Sequence, residues 1–105
     1  MRYAILVMAA LPLSVASISV AADGGTIFKQ NCATCHGATG HADTPAGKSL
    51  KVPPLAGDAK VAGMSDADVA AAIKANAKHA AVLKKLKDDD IAAVAAYVKG
   101  LAAAK

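Results

Sequence analysis

Residues 32 to 36 read Cys32, Ala33, Thr34, Cys35, His36, and the 105-residue chain has no other cysteine. On one helical turn the positions i, i+3 and i+4 share a face, so two thiols and an imidazole can address a single object. Most other uses of paired cysteines do not fit the rest of the chain. A structural zinc site needs four ligands and usually a second cysteine or histidine pair, which the sequence lacks. A thioredoxin-like redox pair needs a βαβ setting, and an alanine-rich helical chain does not provide one. A disulfide between Cys32 and Cys35 would leave His36 without a role.

CxxCH is the attachment signature of c-type haem. Each thiol adds its sulfur and its hydrogen across a vinyl group to form a thioether, and the adjacent histidine reaches the iron from one side. The size of the domain asks for such a group. The chain opens with a positive charge at Arg2, an apolar run from Tyr3 to Leu13 and then small residues, which is the plan of a secretory signal peptide. The apolar run is shorter than the ~20 residues needed to span a bilayer, and Pro12 interrupts it. Residues 1–22 are therefore expected to be a signal removed after Ala22 or one residue earlier, with residues 23–105 as one exported, periplasmic domain and no stable membrane insertion. Of the large rings only Phe28 and Tyr97 fall in that domain. A chain this small buries only ~60% of its unfolded surface, so a bound group is expected to complete the core.

Charge excludes some partners. Setting aside Arg2, eleven lysines face eight aspartates in the expected mature chain, a net +3. With no arginine left and few aromatics, this argues against nucleic acid and for docking on an acidic protein face.

Three helical segments are legible, and no strand pattern or repeat. The first spans about residues 24–34. The second opens where Ser65 can cap and Asp68 stands third, with Val69, Ala72, Ile73 and Ala77 as its apolar stripe and Lys78 in its last turn. Asp88, Asp89 and Asp90 begin the third, whose Ile91, Val94, Ala95, Val98 and Leu101 recur at spacings of three and four; Gly100 is expected near its fraying end. Residues 36–63, rich in glycine and proline, read as a long irregular loop, which in so small a domain is expected only if it wraps around something.

The mature chain resembles a small class I cytochrome c over nearly its whole length. "GGTIFKQNCATCHG" is similar to the family's first helix, and "IAAVAAYV" to its last. The resemblance implies an all-α class I cytochrome c fold around one covalent haem, with Gly24 and Phe28 meeting Val94 and Tyr97. "PPLAG" is similar to the family's PxLxG loop, which implies that the Pro53 carbonyl accepts the proton on the second nitrogen of His36.

Carriers of this family usually close the other face of the iron with a methionine about a dozen residues before the last helix. His79 stands there, while the only methionine beyond the signal, Met64, precedes the second helix. A continuous helix would separate the two by ~22 Å, and Met64 has a structural role available, stapling against Val69 ahead of the Ser65 cap. His41, five residues beyond His36, reads as a solvated loop residue. The expected binding set is therefore Cys32, Cys35, His36, Pro53 and His79, with His36 and His79 on the iron. That describes a monomeric one-electron carrier, not an enzyme, whose partners are redox proteins drawn to Lys78, Lys84, Lys85 and Lys87. The alternatives are a carrier with His and Met64 ligation, or a sensing or small catalytic haem protein with an open iron position.

Overall fold

The structure, a computed structural model, describes residues 23–104; the expected signal peptide lies outside the described residues. Seven helices and one 3-10 turn make up the fold, and there is no strand among the described residues. In chain order these are α1 (Gly24–Asn31), α2 (Ala33–His36), α3 (Pro45–Ser49), α4 (Ala59–Ala62), α5 (Asp66–Ala75), the turn Ala77–His79, α6 (Ala80–Leu83) and α7 (Asp88–Ala103).

The longest element, α7, is the floor against which α1, α4 and α5 pack. Its three aspartates occupy the first turn, where the helix dipole favours negative charge, and the Asp90 carboxylate accepts the Lys87 N–H at 3.0 Å. Ile91, Val94, Ala95, Val98 and Ala102 form the buried face, close to the expected stripe, with Leu101 half-buried at its edge.

Helix α1 starts on Asp23, whose carboxylate accepts the Gly25 N–H at 3.1 Å and the Thr26 hydroxyl at 2.7 Å. Gly24 then lets the two backbones close up, since a Cβ there would run into the Ala93 carbonyl. That approach brings the fully buried Phe28 to Tyr97, with ring centroids 5.3 Å apart. Burying such a ring contributes about 2–3 kcal/mol. Val94 belongs to the same cluster, so the four expected contact residues do meet. Along α5, Val69, Ala70 and Ile73 face this core, whereas Ala72 and Ala77 of the expected stripe are exposed.

Two boundaries differ from the sequence reading. The first helix is interrupted at Cys32 (φ −116°, ψ −31°), which separates α1 from α2. Helix α5 ends at Ala75 because Asn76 turns extended and caps the following turn instead, so Lys74, not Lys78, lies in its last turn. Gly100, by contrast, lies in the last turn of α7, close to the expected end, where its carbonyl accepts the Ala104 N–H.

The long segment after His36 is not structureless. Thr44 caps α3 by accepting the Gly47 N–H at 3.0 Å, with Pro45 beginning the helix, where its missing N–H costs nothing. Asp58 caps α4. The Gly40 carbonyl accepts N–H groups from Leu55 at 2.7 Å and Ala56 at 3.0 Å, and Val52 donates to the Gly47 carbonyl at 2.9 Å. Side-chain caps and cross-loop bonds thus satisfy backbone groups that periodicity could not pair.

A Cβ on Gly100 would meet nothing within 4 Å, so Gly100→Ala should raise the unfolding free energy by roughly 1 kcal/mol. Gly24→Ala should lower it by about 1–3 kcal/mol through overpacking. Urea titration of the haem-loaded protein measures both.

Candidate functional site

Short helix α2 carries the motif. The Cys32 carbonyl accepts N–H groups from Cys35 at 3.2 Å and His36 at 2.9 Å, which winds the thiols and the imidazole onto one turn. The two cysteines form no disulfide with each other, and both are half-buried. Burial pushes the Cys32 thiol pKa up, and the neighbouring Cys35 adds to the shift, so the thiol form is favoured. Helix α3 holds the turn from behind: the Thr44 hydroxyl donates to the Thr34 carbonyl at 2.6 Å, and a Cβ on Gly47 would strike the Cys35 carbonyl.

His36 lies half-buried beside Phe28, with ring centroids 6.2 Å apart. Burial first, and the adjacent His79 second, hold its pKa below the ordinary histidine value, which keeps a lone pair on the ring near neutral pH. Its Nδ1 is buried and has no hydrogen-bond partner among the described residues. The contact implied for the Pro53 carbonyl is therefore not formed here. The bonds made by Val52, Leu55 and Ala56 to the Gly47 and Gly40 carbonyls fix the chain on either side of Pro53, which is itself exposed.

His79 reaches the same place from the other side of the fold. Asn76 accepts the Lys78 N–H at 2.9 Å through its side chain and the His79 N–H at 3.0 Å through its carbonyl. The resulting tight turn leads into α6, whose Val82 and Leu83 are half-buried together with Leu86. His79 Nδ1 lies 2.7 Å from the Ile73 carbonyl oxygen. A carbonyl can only accept, so Nδ1 carries the proton and Nε2 keeps the lone pair of the neutral ring.

The His36 and His79 ring centroids are 6.1 Å apart, with planes inclined at 51°. A metal–imidazole bond of about 2 Å would put the centroids of two imidazoles on one metal roughly 6 Å apart, and the observed spacing is compatible with that. Among the described residues no group of three or more His, Cys, Asp or Glu could hold a metal ion. Two facing imidazoles beside two thiols suit iron that brings four equatorial nitrogens in a macrocycle. The described core also suits a large apolar group, since Phe28 is its one large, fully buried side chain.

The other candidates sit elsewhere. Met64 packs against the core cluster that contains Val69, at the far end of α5, whose ten residues span ~15 Å. His41 is exposed and its Nδ1 pairs with the Thr39 hydroxyl at 2.7 Å. Sequence reasoning missed two contributors. Asn76 had a legible signal, a capping residue ahead of a short helical stretch; the Ile73 carbonyl, a backbone group, had none.

A helical fold that winds CxxCH onto one turn is that of a small monohaem c-type cytochrome. The family model described as cytochrome c oxidase, cbb3-type, subunit III matches residues 19–98, and the chain belongs to that family. No curated protein and no solved structure matches it. The family carries one covalently bound haem c, and in this chain Cys32 and Cys35 form its attachment motif.

Replacing either cysteine by alanine should leave one thioether and shift the α-band of the alkaline pyridine haemochrome to longer wavelength. The double variant Cys32→Ala/Cys35→Ala should release its haem into acidified organic solvent, whereas the native haem stays with the polypeptide.

Proposed function

We propose that the protein is an exported one-electron carrier whose iron is held between His36 and His79. The observation that carries this reading is the proximity of the His36 and His79 rings, whose centroids are 6.1 Å apart. Bound haem c supplies a reversible ferric–ferrous couple. Cys32 and Cys35 tether the group, His36 offers its lone pair from the tethered side, and His79 offers Nε2 from the other. With His36 and His79 both holding the iron, no place on it would remain for a substrate, which favours a carrier over a sensor or a catalyst. Two imidazoles place the potential below that of a histidine–methionine pair, because a methionine ligand raises it.

Export rests on residues 1–22 acting as a signal, with residues 23–105 as the working domain. No helix among the described residues is long and apolar enough to cross a membrane. A periplasmic location fits this reading, and the oxidase subunit in the family's name favours respiratory redox proteins as partners.

The docking face combines charge with one apolar residue. Lys78, Lys84, Lys85 and Lys87 are all exposed. Lys78 Nζ donates to the Leu50 carbonyl at 3.5 Å, linking the His79 segment to the turn that carries exposed Lys48 and Lys51. Leu50, 46% exposed, is the exposed large hydrophobic residue of the described chain. An acidic partner surface with an apolar centre complements this patch.

Two measurements test the proposal. Native ferric protein should show no sulfur-to-iron charge-transfer band in the far red; His79→Met should introduce one and raise the potential, and Met64→Leu should change neither. A native band lost in Met64→Leu would overturn the ligation. Electron exchange with an acidic redox protein should slow at least severalfold as ionic strength rises past the point where the Debye length falls below about 10 Å, and Lys78→Glu should flatten that dependence. A rate indifferent to salt would remove the docking face.

A further inference from the structure

The joint between α5 and the turn carrying His79 is built differently from an ordinary helix end. Asn76 is extended (φ −81°, ψ 119°) and stops the helix at Ala75. The last carbonyls of a helix have no donors from the next turn, and they carry the negative end of its dipole. One of these carbonyls, that of Ile73, takes its hydrogen from the side chain of His79, 2.7 Å away. Asn76 makes that possible by holding the intervening turn at both ends, its Oδ1 on the Lys78 N–H at 2.9 Å and its carbonyl on the His79 N–H at 3.0 Å.

We infer that Asn76 is a positioning residue for the distal ligand: it delivers His79 to the carbonyl end of α5, which fixes the ring as the Nδ1–H tautomer and aims Nε2 at the iron. The inference rests on the His36–His79 ligation proposed above. It explains an asymmetry between the two imidazoles. His36 is placed by its covalent neighbour Cys35, and its buried Nδ1 has no partner among the described residues. His79 has no tether, and its ring would otherwise lose rotamer freedom when it binds. The untethered ring is the one whose second nitrogen is anchored, the contact that orients most metal-bound histidines. A hydrogen bond to the negative end of a helix also draws the Nδ1 proton outward and makes Nε2 a stronger donor, which favours the ferric state.

The test uses the mature haem-loaded protein. In the native ferrous state, ring 1H–15N spectra should show the His79 Nδ1 proton exchanging slowly with solvent and in contact with Ile73. Ferric Asn76→Ala should bind cyanide about tenfold more tightly, as the protein ligand becomes easier to displace, and its reduction potential should rise. Asn76→Asp, which keeps an acceptor for the Lys78 N–H, should stay close to native in both. Ser65→Ala removes the cap at the opposite end of α5, where Ser65 Oγ accepts the Asp68 N–H at 3.1 Å, and should lower stability without moving cyanide affinity or potential. A ferric EPR spectrum without the signature of two imidazoles would overturn the ligation and this inference together. A two-imidazole spectrum with the His79 proton on Nε2, or equal cyanide shifts in Ser65→Ala and Asn76→Ala, would overturn the inference alone.

Discussion

Phe28 ties the fold to the site. Its ring is fully buried, 5.3 Å from Tyr97 on α7 and 6.2 Å from His36 on α2. The bare backbone of Gly24 lets α1 press against Ala93, and that approach places Phe28 where it packs on both neighbours. Every other member of the buried cluster is a valine or an alanine. Bound haem c would therefore add to the core as well as supply the redox centre, since its apolar bulk would offer contact area that a core of valines and alanines around one phenylalanine lacks.

The two sides of the site follow different physical rules. On the tethered side the reacting groups themselves are local, because five consecutive residues form a single turn, which α3 and Phe28 brace from outside. The opposite side is assembled from α5, the turn after it and α6, and its precision comes from hydrogen bonds between backbone and side chains. A carrier gains from both. In the proposed carrier the tether would keep the group attached through repeated electron exchange, and a second imidazole on the iron would limit how far the coordination changes between the two oxidation states.

Where side-chain pattern decides structure, the sequence was easy to read. The apolar spacing of α7 and the Ser65 cap of α5 match the structure nearly residue for residue, because burial of one helix face is a periodic demand. Reading failed where backbone groups choose among competing partners. Asn76 could have continued α5 or capped the next turn, and it does the latter. The segment after His36 carries little periodicity, yet its carbonyls and N–H groups find partners across the loop in an arrangement no spacing rule contains. The Pro53 contact, implied by resemblance, depended on that same arrangement and is not made.

By itself the sequence determined the chemistry: a lone CxxCH is complete within one turn, so haem attachment and its first histidine need no knowledge of the rest of the fold. It also marked His79 by position. Only the tertiary structure decided that this ring stands opposite His36 and which of its nitrogens is left free. That choice depends on where α5 stops and which carbonyl it leaves without a backbone donor, and the pairing of backbone groups between separate elements is settled by their packing, not by the order of side chains along the chain.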